Sequence, residues 1–93
     1  MNVGNEHIHG SHPDLIKRLK RATGHLQNVI EMMEHGRGCA EIAQQLHAVE
    51  RAVGATKKLL IHDHLDHCIS GAAHSPEDLA RATAEFKDIT KYL

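Results

Sequence analysis

Apolar residues recur at every third or fourth position along most of this chain, and no segment alternates between apolar and polar residues. This spacing is typical of amphipathic α-helices. It predicts an all-α fold with three helices of medium, long and short length. The first begins at Pro13, the second runs from about Cys39 to about Ile69, and the third follows Ser75 and continues to the C-terminus.

Local signals agree with these boundaries. Pro13 suits the first turn of a helix, and Gly36 and Gly38 are suited to ending it. Ser75 is followed by proline and two acidic residues, which is a helix start signal. Gly54 is the one weak position in the long helix, because glycine costs about 1 kcal/mol relative to alanine.

Composition favours a single small domain. The 93 residues include one Tyr, one Phe and no Trp, and the net charge is −1 with neutral histidines. We expect a flexible tail at 1–11 and one domain at 12–93. Oligomerisation would supply the burial that so small a core lacks. With no apolar leader or spanning run, we expect a cytoplasmic protein without a membrane partner.

The stretch IHDHLDHC, at 61–68, concentrates candidate metal ligands in a chain with ten histidines. On a helix, His64 and Cys68 are four residues apart and share a face. Thiolate and imidazole together suit Zn, Cu or Ni better than Mg or Ca. The alternative is that these are ordinary surface histidines, most of which bind no metal.

The other cysteine, Cys39, precedes His64 by 25 residues. A continuous helix separates such positions by about 37 Å, so the two cannot meet in one chain unless the helix folds back at Gly54. They can meet if two long helices pack antiparallel, which gives two equivalent sites per dimer. The competing interpretation is that both cysteines are small buried hydrophobic side chains.

Three stretches together resemble the CsoR/RcnR/FrmR family of small bacterial repressors, over nearly the whole chain from about His12 to Leu93. They are LIKRLKRATGHLQNVIEMME, GCAEIAQQLHAVERAV and LLIHDHLDHC. The resemblance implies a three-helix protomer, an antiparallel dimer forming a four-helix bundle, and a disc-shaped homotetramer. It also implies metal sites that bridge protomers, and no standard DNA-reading helix.

The resemblance implies Cys39, His64 and Cys68 as metal ligands. Copper-sensing members use such a set as a trigonal Cu(I) site, whereas nickel- and cobalt-sensing members add a histidine from the N-terminal segment. Counting back as in those members leads to His7. We therefore expect Ni(II) or Co(II) as effector, with Cu(I) as the alternative.

Three further positions bear on the metal. His9 and His12 are alternatives to His7 as the N-terminal ligand. Glu85 matches an outer-shell glutamate of copper-type members, but Gly38 stands where they often have tyrosine. His64 argues against the sulfur-sensing branch, which lacks this histidine, and with the second cysteine it argues against the formaldehyde branch.

Basic residues are concentrated on the first two predicted helices, which is consistent either with a solvated helix face or with DNA binding. The resemblance favours DNA binding and implies that Arg18 and Lys20 contact operator DNA. Glu50 departs from the arginine of several relatives, and Arg51 is the neighbouring candidate. The expected DNA-binding residues are Lys17, Arg18, Lys20, Arg21, Arg51, Lys57 and Lys58.

The function that follows is a metal-responsive repressor, whose apo form binds an operator and whose metal-bound form releases it to express a metal exporter. A histidine-rich metal-storage or chaperone protein is the alternative from another class, but it needs no basic surface. An enzyme is not expected, since the sequence has neither a nucleophile elbow nor a glycine-rich phosphate loop.

Overall fold

The computed structural model describes residues 12–71 and 75–93, with side chains as far as Asp66 in the first range. It contains three helices, α1 (His12–Glu34), α2 (Cys39–Gly71) and α3 (Pro76–Thr90). The predicted all-α protomer is confirmed. Three boundaries differ from prediction: α1 begins one residue before Pro13, α2 extends two residues beyond Ile69, and α3 ends three residues before the C-terminus.

A short turn joins α1 to α2 and depends on Gly36. This glycine has φ +70°, in the left-handed region that side chains with a Cβ avoid. Gly36 N–H donates to Met33 O at 3.1 Å and Arg37 N–H donates to Met32 O at 3.0 Å, the two bonds of a Schellman cap. Ile42 N–H then donates to Gly38 O, so α2 begins immediately after the turn.

The core lies along the seam between α1 and α2. Buried residues occur every seven positions on each helix, which is the spacing of two helices packed side by side. Val29, at 1% exposure, packs with Ile42, Val49 and the partly buried Met32. The residues of the repeat are Leu15, Ala22 and Val29 on α1, and Ile42, Val49 and Thr56 on α2.

A second apolar face runs along the same two helices and remains exposed. The sequence predicted one stripe on α1, but the chain buries only part of it. Leu46, Val53 and Leu60 on α2 are between 41 and 45% exposed. On α1 the exposed members are Ile16, Leu19, Leu26, Ile30 and Met33.

Helix α3 contacts α2 and contributes no buried residue. Ser75 caps it, because the Ser75 Oγ accepts from the Asp78 N–H at 3.0 Å, as the sequence predicts. Phe86 and Tyr92 in this C-terminal part are exposed. Among the described residues, no helix is long and apolar enough to cross a membrane.

Candidate metal centre and nucleic-acid interface

Cys39 is the first residue of α2, directly after the α1–α2 turn. Its thiol is free and exposed. The Gly36 cap and the bond from Ile42 to Gly38 fix where α2 starts, and they therefore fix where this thiol lies.

His64 lies in the C-terminal half of α2 and is partly buried. Cys68 follows it by one helical turn on the same helix, and its side chain lies outside the described part of the chain. The backbone thus places His64 and Cys68 on one helical face, as the sequence predicts.

Helix α2 is unbroken through Gly54, so the fold-back alternative is wrong. The 25 residues from Cys39 to His64 span about 37 Å on one continuous helix. Among the side chains that the structure describes, no group of three His, Cys, Asp or Glu could hold a metal ion. A site that uses both ligands requires more than one chain.

The candidate ligands Cys39 and His64 lie on the same helical face of α2 as its exposed apolar residues. Cys39, Leu46, Val53 and Leu60 follow one another at seven-residue intervals, and His64 comes one turn later. Residues seven apart nearly coincide in helical rotation, since two turns take 7.2 residues. The uncovered face of α2 therefore carries one candidate ligand near each end of the helix, Cys39 at the start and His64 towards the C-terminal end.

The remaining predicted ligands are placed less completely. His7 and His9 lie outside the described residues. His12 begins α1, is partly buried, and lines an apolar groove together with Val53 and Leu60. Glu85 is partly buried on α3.

The opposite side of the α1–α2 pair has a basic groove. Two of the predicted DNA-binding residues, Arg18 and Arg21, line it, and the neighbouring helix contributes only small side chains. The residues lining this basic groove are Arg18, Arg21, Ala22, His25, Ala52, Ala55 and Thr56.

His25 is a member of this groove that sequence reasoning missed. Its ring is partly buried, and Nε2 lies 2.7 Å from Gln45 Oε1 on α2. Nothing in the local sequence pairs two polar residues that are 20 positions apart, so only the packing of the two helices reveals the contact.

None of the other predicted DNA-binding residues lines this basic groove. Arg51 and Lys58 are exposed and lie about one turn to either side of Ala55 on α2. Lys57 instead lines the apolar groove, and the exposed Lys17 and Lys20 occupy α1.

Two carboxylates also lie near these basic residues. Asp14 Oδ2 is 2.9 Å from Arg18 Nε, in an exposed pair one helical turn apart. Glu50 is exposed, and its Oε1 lies 3.7 Å from His47 Nδ1. Neither carboxylate lines the basic groove.

A helix pair with thiol and imidazole ligands on one face and a basic groove on the other fits a metal-dependent DNA-binding regulator. The chain belongs to the metal-sensitive transcriptional repressor family, whose model matches residues 11–92. The family resemblance seen in the sequence is thereby confirmed, and the proteins of this family are repressors and not enzymes.

The relatives named here are copper-sensing repressors. The copper-sensing repressor CsoR of Bacillus subtilis is 34% identical over 77 residues, which cover 83% of this chain and 75% of the relative. CsoR of Mycobacterium tuberculosis is 30% identical over 83% of this chain and 64% of its own length. CsoR of Mycobacterium ulcerans is 37% identical over 61% of this chain and 49% of its own length. This chain thus spans from about half to about two thirds of the length of the mycobacterial relatives.

The solved structure of the nickel-responsive transcriptional regulator InrS has the same fold. The two structures superpose with a TM-score of 0.79 and 31% sequence identity, covering 92% of this chain and 97% of that one.

Proposed function

We propose that this protein is a cytoplasmic repressor of a metal-efflux operon, and that its apo form binds operator DNA and its metal-bound form releases it. The observation that supports this proposal is the position of Cys39 and His64 near opposite ends of one unbroken helix. They share a face that the protomer leaves exposed. Such an arrangement suits a site that is completed by a second copy.

If two α2 helices pack antiparallel with Val53 at the centre, the ligands of the two chains come together and the exposed apolar residues are covered. In that register Val53 faces its own copy, and Leu46 faces Leu60 of the second copy, since both are seven residues from Val53. Cys39 then lies level with the turn between His64 and Cys68. Covering the apolar stripe and completing the ligand set therefore require the same dimer.

Cys39 of one protomer and His64 and Cys68 of the other would hold the ion. Their thiolate and imidazole donors fit a transition metal. Joining them links two protomers directly through α2, whose other side borders the basic groove. Metal occupancy and groove geometry are thereby coupled, and DNA must weaken metal binding by the factor by which metal weakens DNA binding.

We propose Ni(II) or Co(II) as the effector, with His7 as a fourth ligand. The first residue of α1, His12, lines a groove with Leu60, which is one turn before His64. The five residues from His12 back to His7 can span about 17 Å when extended, enough to reach the level of His64. Ni(II) accepts four mixed nitrogen and sulfur ligands. The nickel-responsive InrS supports the same assignment.

Cu(I) is the second candidate, because the named relatives are copper sensors and because Cys39, His64 and Cys68 form a three-ligand set without His7. A metal-storage or chaperone role would use the same ligands but would not explain the basic groove.

A mixing experiment tests the bridged site and the switch together. Cys39→Ala and His64→Ala proteins should each fail to bind metal tightly and to release a labelled promoter duplex. In mixed oligomers, about a quarter of the sites should be intact, because half of randomly paired dimers contain both variants and each of these has one complete site.

Metal titration and DNA-binding anisotropy measure both effects in the same samples. Exchange of subunits is checked by affinity-tag capture of one variant with the other. If mixed dimers form and neither metal binding nor DNA release recovers, the bridged site is wrong.

A further inference from the structure

The basic groove combines two permanent cations with one titratable group. Arg18 and Arg21 are charged at all relevant pH values, whereas His25 gains a charge only as the pH falls. The α2 side of the groove is lined by Ala52 and Ala55, whose short side chains leave room for a ligand between the helices.

The contact with Gln45 determines which ring nitrogen of His25 gains a hydrogen when the ring is protonated. A carbonyl oxygen only accepts, so His25 Nε2, 2.7 Å from Gln45 Oε1, carries a hydrogen and donates it. Protonation therefore adds its hydrogen at Nδ1. The ring gains a positive charge and a second donor, and it keeps the bond that holds it to α2.

The side chains that line the groove around His25 include two cations and no carboxylate. On its own helix the groove is lined by Arg18 and Arg21, and α2 contributes Gln45, alanines and a threonine. Of the groove's arginines, Arg18 pairs with Asp14, which lies 11 residues before His25 on α1. Helix α3 contacts α2 and not α1 within the described residues.

We infer that this groove binds a phosphodiester of the DNA backbone, and that His25 is its third cation. This inference rests on the proposed DNA-binding function and adds a regulation to it. Because charged His25 binds phosphate better than neutral His25, DNA binding takes up a proton. DNA affinity then rises as the pH falls through the range in which histidine side chains protonate.

The test compares His25→Gln and His25→Lys with the unmodified protein. Glutamine can still donate to Gln45 but cannot become charged, and lysine keeps a charge throughout. His47→Gln is the matched control, since His47 is an exposed histidine of α2 that does not line the groove. Metal-free proteins are titrated into a labelled promoter duplex and an unrelated duplex from about pH 8 to about pH 6.

The unmodified protein and His47→Gln should gain more affinity than His25→Gln on acidification. The difference should be about three- to tenfold, the range for one net hydrogen bond. His25→Lys should bind tightly at both ends of the range and show the weaker pH dependence of His25→Gln. The effect should be the same on both duplexes, because phosphates carry no sequence information.

Parallel pH profiles for His25→Gln and the unmodified protein would overturn the inference while leaving DNA binding intact. An effect confined to the promoter duplex would also overturn it, because it would indicate a base contact. If the unmodified protein binds neither duplex at any pH, the proposed function itself fails and this inference fails with it. Sedimentation of each variant at both pH values shows whether its assembly is unchanged.

Discussion

One arginine of the basic groove, Arg18, is paired with a carboxylate that lies outside the groove. Asp14 pairs with Arg18 at 2.9 Å, and both side chains are largely exposed. An exposed pair of this kind contributes little to stability. Its larger consequence is that the negative charge of Asp14 offsets the cation that is expected to face phosphate.

We predict opposite effects for the two members of this pair. Arg18→Ala should weaken promoter binding and make the plot of log affinity against log salt concentration less steep, by about 0.9 for each phosphate that is no longer neutralised. Asp14→Asn should strengthen binding by about two- to fivefold at low salt, since it removes a repelling charge. DNA-binding anisotropy at several salt concentrations measures both.

Asp78→Asn is the matched control, because Asp78 pairs with Arg81 at 3.1 Å on α3, away from the groove. It should leave DNA affinity unchanged. Equal behaviour of Asp14→Asn and Asp78→Asn would place the DNA interface elsewhere.

His7 separates the two candidate metals. If nickel is the effector, ordering the segment around His7 costs roughly 1–2 kcal/mol per residue fixed, and ligation must exceed that cost. His7→Ala should then lose substantial nickel affinity and part of the nickel-driven release of DNA. Its copper affinity should be nearly unchanged, because Cys39, His64 and Cys68 suffice for Cu(I).

Competition titrations with each metal, paired with anisotropy, make this comparison, and His9→Ala is the control for the neighbouring histidine. Nickel binding and nickel-driven release that are both unaffected by His7→Ala would refute the four-ligand assignment.

At the scale of helices, the sequence was sufficient wherever the determining interactions are local. Ser75 was predicted to start a helix and caps α3 through the Asp78 N–H. Gly36 was predicted to end α1, and its positive φ makes the Schellman turn possible. Such caps depend on a few adjacent residues, so the sequence reveals them directly.

The sequence was insufficient where burial depends on distant parts of the chain. Leu15 and Leu19 belong to the same predicted stripe, yet Leu15 is 5% exposed and Leu19 is 43% exposed. Periodicity identifies apolar positions but does not tell which of them the same chain covers. The pairing of His25 with Gln45 is hidden for the same reason.

The sequence predicted the spacing of the candidate ligands, but it did not predict which face of α2 the packing of the helices leaves uncovered. The separation of Cys39 from His64 already indicated two chains, provided that α2 did not fold back at Gly54. The unbroken helix removes that alternative. What the sequence could not reveal is that the candidate ligands Cys39 and His64 share a helical face with exposed apolar residues and do not belong to the buried seam.

For the whole molecule, we propose that assembly and metal binding depend on the same surface. Leu46, Val53 and Leu60 leave more than two fifths of their area exposed in the protomer, in line with Cys39. A contiguous apolar face of this kind marks an interaction surface. In the proposed antiparallel dimer, Val53 meets its own copy, so one substitution changes both sides of the contact at its centre.

Val53→Glu therefore tests the whole arrangement. It puts two carboxylates against each other at the two-fold axis, where like charges repel and lose water. We expect the variant to sediment as a smaller species than the unmodified protein. It should also lose tight metal binding, although Cys39, His64 and Cys68 are intact, because no single chain can bring them together.

Gln44→Glu supplies the control, since it adds the same charge at an exposed position of α2 outside the stripe. It should assemble and bind metal normally. Helical content, followed by circular dichroism, distinguishes loss of assembly from loss of folding in Val53→Glu. A folded Val53→Glu monomer that still binds metal tightly would show that one chain completes the site, and a fully assembled Val53→Glu protein would show that the dimer axis lies elsewhere. Dissociation together with loss of metal binding is the result that only a shared interface predicts.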